Sequence, residues 1–182
     1  MKNYAILLFT LFVFSFLSCE EEMNTDDNEN TASALNYITY DGKEYEISQG
    51  QMYMDEYSEE NSFYWLKVWI TSDNLDWANA SGNGNLILFD YIYSSSGTEI
   101  SPGTYDCEDH HYDLEAFCWG DVSFGLNLNF TTDEADYDLI LSDDGIIKVE
   151  KSGDQYDIKI TGTTGEGKEI KAHYKGTIEK FN

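Results

Sequence analysis

Phe63, Trp65, Lys67, Trp69 and Thr71 alternate with Tyr64, Leu66, Val68 and Ile70. A period of two places the first set on one face of a strand and the second on the other. Lysine is costly to bury, so the face with Lys67 is read as the outer one. Trp65 and Trp69 then flank its amine, about 13 Å apart by strand rise. Flat aromatic surfaces of this kind stack on the apolar C–H faces of sugar rings. Trp65, Lys67 and Trp69 are therefore the candidate ligand-binding residues. The competing reading is that the loop Asp73–Gly84, or a second sheet, covers both indoles as ordinary core.

A second concentration of chemistry runs from Asp106 to Glu115, with two of the three histidines among five acids. Imidazole and carboxylate together suit a transition metal, which makes Asp109, His110, His111 and Asp113 candidate ligands. Neighbouring histidines on an extended strand point to opposite faces, so chelation requires the loop to turn. Otherwise the segment is a solvated acidic loop. Asp133-Glu134-Ala135-Asp136-Tyr137-Asp138 offers oxygens to Ca2+ but lacks the EF-hand spacing and its central glycine. Beyond that weak Ca2+ reading, no cofactor is expected.

The nucleophile elbow Gly-x-Ser-x-Gly, the phosphate-binding glycine loop and the His-Glu-x-x-His helix are all missing from the sequence. Arginine does not occur at all, which removes the bidentate clamp usual where carboxylates or phosphates are held. The expectation is a non-catalytic protein. With 35 acids, a hydrolase with an unrecognised carboxylate pair stays as an alternative, because such a pairing is spatial.

The N-terminus carries chemistry of another kind. Lys2 precedes an apolar run from Tyr4 to Leu17, closed by Ser18-Cys19 and followed by Glu20, Glu21 and Glu22. Charge, apolar core and small-residue exit describe an export signal. As a helix the run is about 21 Å long, short of the roughly 30 Å of hydrocarbon that an anchor must cross. Phe16-Leu17-Ser18-Cys19 resembles the lipobox of bacterial lipoproteins, although only Ser18 fits its usual pattern well. The resemblance implies residues 1–18 as signal peptide and Cys19 as the acylated residue. With two or three acyl chains, at about 0.8 kcal/mol per buried methylene, the protein would sit on a membrane without spanning it. Plain secretion with Cys19 as a free thiol is the competing reading.

Residues 19–34 hold six acids and a single large apolar side chain, Met23, too little to offset ordering entropy. They read as a flexible acidic tether reaching on the order of 20 Å. Acids directly after the cysteine also resemble the surface-export signal of Bacteroidota lipoproteins, implying an outer-membrane, cell-surface address. A periplasmic leaflet, or a linker with no address, stays open. In such a compartment Cys107 and Cys118 are expected to form a disulfide, stabilising by about 2–3 kcal/mol.

Removing residues 1–18 takes away one lysine and no acid, leaving 9 basic and 35 acidic residues and a formal charge of −26. Nucleic acid is thereby excluded as a partner. Acidic polymers are disfavoured as well, within a screening length of about 8 Å.

Positioning these groups falls to strands. Tyr (14), Phe (10) and Trp (4) are abundant and Pro occurs once, a β-rich balance. Val122, Phe124, Leu126, Leu128 and Phe130 alternate with polar or small partners, as do Ile147 and Val149, then Tyr156, Ile158 and Ile160, then Ile170, Ala172 and Tyr174. Turn signals at Asp143-Asp144-Gly145, Ser152-Gly153-Asp154 and Gly165-Glu166-Gly167 separate them. Earlier strands are expected over Asn36–Tyr40, Glu44–Tyr53, Ser62–Thr71, Asn85–Tyr93 and near Thr104, with one short helical turn over Asp109–Phe117. Residues 35–182 thus form a single all-β domain of some nine or ten strands. Short links favour an antiparallel meander, closed as a barrel or folded as a half-open two-sheet sandwich.

Asp41-Gly42-Lys43-Glu44-Tyr45, Pro102-Gly103-Thr104-Tyr105 and the run from Val149 through Tyr156 to Tyr174, Gly176 and Ile178 resemble small Bacteroidota surface lipoproteins of unknown function, some of them calycin-like barrels. These are turn and core positions, so the resemblance implies a fold and carries over no catalytic residue. The function expected is a cell-envelope lipoprotein whose β domain binds an extracellular glycan or small molecule. The alternative partner is another envelope protein. Metabolic labelling with an alkynyl fatty acid should mark the protein and be lost in Cys19→Ala; an unmodified Cys19 thiol in membrane extracts would overturn the anchor.

Overall fold

A chain whose apolar residues recur every second position can bury them only by stacking pleated faces on one another. The computed structural model describes residues 36–59, 62–106, 119–132 and 134–181. Their strands are β1 (Tyr37–Tyr40), β2 (Lys43–Glu46), β3 (Gln49–Ser58), β4 (Phe63–Thr71), β5 (Leu75–Asp76), β6 (Ser81–Ser94), β7 (Gly103–Tyr105), β8 (Val122–Asn129), β9 (Tyr137–Ile140), β10 (Ile146–Ser152), β11 (Gln155–Thr163) and β12 (Glu169–Lys180). No helix occurs among the described residues. All of them fall within one compact unit, Ser33–Asn182. The leader, the tether with Cys19, the Cys107 and Cys118 pair, the candidate ligands Asp109, His110, His111 and Asp113, and the turn expected over 109–117 lie outside the described residues.

Tight turns join the antiparallel neighbours. Asp41 and Gly42 both take positive φ (51° and 73°), the mirror-image turn that matches strand twist, and Tyr40 then faces Lys43. Gly153, at φ 60°, links β10 to β11. The run β10-β11-β12 is the meander that the alternation predicts. Beyond it the topology departs from that expectation. One edge of β12 pairs with β11, while its other edge pairs with β1 and then, at Ile178–Lys180, runs parallel to Gly50–Met52 of β3.

The twelve strands therefore form one mixed sheet with two halves, β7-β10-β11-β12-β1-β2 and β3-β4-β6-β8-β9, with β5 appended to β6. The path ends on β7 and β9 and is not closed, so the calycin-like barrel is not formed and the open, sandwich-like arrangement is. Both terminal strands are short, of three and four residues, which limits the edge that is left open. The strand expected over Glu44–Tyr53 is broken at Ile47-Ser48, where the chain passes between halves. Ile47 N–H donates to Asn36 in one half and Ser48 N–H to Thr71 in the other.

Facing residues of the two halves make a single core. Ile38, Ile147, Ile158, Ile160 and Ile170 come from one side, and Leu66, Val68, Ile87, Phe89, Val122 and Phe124 from the other, each at most 2% exposed. Burial of each such side chain contributes about 1.5–3 kcal/mol.

Tyr174 closes the corner where the halves meet. Its ring lies where side chains on Gly50 and Gly176 would stand, and its hydroxyl donates to the carbonyl of Thr177 at 2.5 Å. Burial pushes the phenol up from the usual 10.0 to about 12. The folded state thus holds this proton more tightly than the unfolded chain, so the contribution to stability is complete below pH 10 and is lost as pH climbs toward 12. Tyr174→Phe should lower stability at pH 7 by about 1 kcal/mol and move the alkaline limb of unfolding to higher pH. Urea titrations across the alkaline range measure both, and an unmoved alkaline limb would contradict the assignment.

Candidate functional site

β4 is apolar on both faces and so needs two covers. Leu66, Val68 and Ile70 enter the main core, while Trp69 leads a second cluster on the opposite face with Leu75 and Leu86, joined by Tyr53, Trp77, Leu88, Leu128 and Phe130. The cover on that outer face is the β5–β6 hairpin, the very loop proposed as a lid in the competing reading. Its coverage is partial. Trp69 is 6% exposed, yet a depression of about 550 Å³ opens beside it, floored by Lys67 and Leu88 and walled by Tyr53, Trp69, Trp77 and Phe181, with Asp90 at hand.

Lys67 sits at the convergence of two β-bulges. β6 slips relative to β4 between the pairs Leu66–Ile92 and Val68–Phe89, so Asp90 and Tyr91 together oppose one residue. Phe89 and Ile92 both point into the core at 1% exposure, and the two residues between them stand on the outer side. On the other flank β3 slips between Met54 and Glu56, leaving Asp55 as the extra residue. Bulges re-aim side chains in this way. The Lys67 amine lies 3.5 Å from Asp90, 3.9 Å from Asp55 and 4.8 Å from the centre of the Tyr91 ring. Desolvation pulls its pKa down, but Tyr53, Asp90 and Tyr91 outweigh that and raise it, so the amine stays charged. These pairs are partly solvated and contribute little to stability; their consequence is a fixed donor beside fixed acceptors.

The aromatic walls are held in place as well. Trp69 Nε1–H donates to Gln51 Oε1 at 2.8 Å, and its ring meets Tyr53 and Phe181 edge-on at 5.9 Å each. Trp77 rests on Phe130 at 5.7 Å. Asp76 accepts from the backbone and side-chain N–H groups of Asn79, which holds the hairpin tip that carries Trp77. Past Trp77 a second depression of about 480 Å³ continues over Leu86, Leu128 and Phe130, edged by Ser123, Glu134 and Asp138.

Two of the three candidate residues, Lys67 and Trp69, meet in this groove. Trp65 does not line it: half-buried, it packs on Tyr91 and Tyr93 at 5.2 and 6.0 Å, with its N–H unpartnered. Sequence reasoning missed Tyr53, Trp77, Asp90 and Phe181. A signal for Asp90 existed in the lapse of alternation at Asp90-Tyr91, where two polar residues fall between core positions. Of the run Asp133–Asp138, Asp133 lies outside the described residues, and Asp136 accepts from Asn127 Nδ2 at 2.7 Å. Among the described residues no three His, Cys, Asp or Glu side chains gather as a metal site. The third histidine, His173, pairs with Asp157 at 2.8 Å.

Comparisons with protein-family models, with curated proteins and with solved structures find no match. The geometry of the groove alone bears on its chemistry.

The hairpin is the weak point of the site. Gly82 sits at φ 85°, and a Cβ there would come within 1.9 Å of the Asn74 carbonyl oxygen. Gly82→Ala should therefore cost on the order of 2 kcal/mol or more and alter the near-ultraviolet dichroism of Trp77. A variant with unchanged stability and spectrum would show that the hairpin does not depend on this turn.

Proposed function

We propose that the chain is a non-catalytic cell-envelope lipoprotein, anchored through Cys19 to the outer membrane at the cell surface, whose β domain binds an extracellular glycan or small molecule in the outer groove. The observation that carries the binding reading is a lysine–carboxylate pair, Lys67 with Asp90, set among Tyr53, Trp69, Trp77 and Phe181. Hydroxyl groups of a sugar need donors and acceptors side by side, and its C–H faces need flat aromatic surfaces. A core has use for the aromatics but not for a charged pair among them. The anchor and address rest on the sequence from Lys2 to Glu22 and on the resemblance to Bacteroidota surface lipoproteins.

A second reading, engagement of another envelope protein, has one observation in its favour. On the edge away from β4, β3 pairs with β12 only at Gly50–Met52. From Tyr53 to Tyr57 that edge has no strand partner among the described residues, and Met54 and Tyr57 beside it are 50% and 43% exposed. An extended peptide adding there would be recognised mainly through main-chain bonds.

Tryptophan emission separates the two readings, because Trp69 and Trp77 wall the groove and neither lies on that edge. Titration with a panel of neutral and acidic oligosaccharides should give a saturable change with at least one of them, weakened in Lys67→Met. No change with any oligosaccharide, by emission or by calorimetry, would overturn the groove as a glycan site.

A further inference from the structure

The groove is longer than one sugar, and carboxylates outnumber the single ammonium along it. Its two depressions share Trp77 and Leu88, so the indole on the hairpin tip forms a ridge between them rather than an end wall. Among the described residues, Lys67 is the only Lys or Arg lining either one. Its charge is already met by Asp55 and Asp90, both brought to it by bulges in the flanking strands. An incoming carboxylate or sulfate would have to displace one of them, while Glu134 and Asp138 border the far end and repel it further. A cationic ligand would have to compete with the Lys67 ammonium for Asp55 and Asp90, which already hold it on the floor of the near end. What suits both ends is an uncharged chain of hydroxyls with apolar faces.

We propose that the groove takes a neutral oligosaccharide lying across Trp77, with one sugar held by Lys67 and Asp90 and a later one over Phe130, and that it rejects uronate or sulfated chains of the same length. This rests on the glycan reading of the groove and adds to it the charge class of the ligand and its minimum extent. Trp77 serves both sugars, one on each side of the ridge. Phe130 serves only the second, since it lines the far depression and not the near one. The net charge of the chain works in the same direction, because the field around it opposes any polyanion.

Calorimetry on the folded protein tests this with defined probes: the β-1,4-linked hexasaccharides and disaccharides of glucose, mannose and xylose, a hexagalacturonate, and hexalysine. The expected result is that one neutral hexasaccharide binds at least about tenfold more tightly than its disaccharide, a difference near 1.4 kcal/mol, with no detectable hexagalacturonate binding. Phe130→Ala should weaken the hexasaccharide about tenfold and leave the disaccharide within twofold, and that retained disaccharide binding also reports an intact fold. Trp77→Ala should weaken both. Preference for hexagalacturonate, or equal affinity for hexasaccharide and disaccharide, would overturn this inference while leaving a glycan site in place. Binding of hexalysine with none of the sugars bound would overturn the inference and the glycan reading together, as would silence with every probe.

Discussion

β12 divides its two hydrogen-bonding edges among three partners: β11 takes one edge, and β1 and β3 take successive stretches of the other. This sharing is the constraint from which the rest of the architecture follows. A strand that belongs to both halves of a sheet must turn a corner, and the twist it introduces brings the two inner faces together instead of letting the sheet run on flat. Tyr174 fills the inside of that corner over Gly50 and Gly176, where any side chain would collide with its ring or with Ile178. The chain itself also crosses between the halves at Ile47-Ser48, so the joint carries a covalent connection beside the parallel ladder.

Folding the sheet in two leaves the second half with a problem on its other side. β4 and β6 carry large apolar residues outward as well as inward, and no third layer among the described residues spans that outer face. A four-residue tip between β5 and β6, pinned by Asp76 and by the turn at Gly82, covers Trp69 and stops there. The groove is what the short cover leaves open. Its polar floor has the same origin: to keep Lys67 on an otherwise apolar face the neighbouring strands each slip by a residue, and the slips deliver Asp55 and Asp90.

Strands with one wet and one dry face were legible from period alone. Val122–Thr131 predicts β8, and the alternation from Ile147 to Tyr174 predicts β10, β11 and the first half of β12. β5 and β9, of two and four residues, are too short to show a period, and both exist only because β6 and β8 offer an edge. The parallel ladder joins Gly50–Met52 to Ile178–Lys180, and nothing local in either segment signals the other. At the groove, Lys67 and Trp69 were readable because they share a face of one strand. Tyr53, Asp90, Trp77 and Phe181 come from four other segments that only tertiary structure gathers, and Trp65, equally spaced in sequence, is drawn off by Tyr91 and Tyr93.

The position of β1 bears on how the domain responds to mechanical load. β1 lies between β12 and β2, antiparallel to both, with four residue pairs on each side. A pull along that strand from the segment before Tyr37 stresses both ladders in shear, so several main-chain bonds must yield together rather than open in succession like a zipper. Resistance to such a force is a matter of unfolding rate rather than equilibrium stability, and the chain enters its own sheet at a point suited to withstand drag.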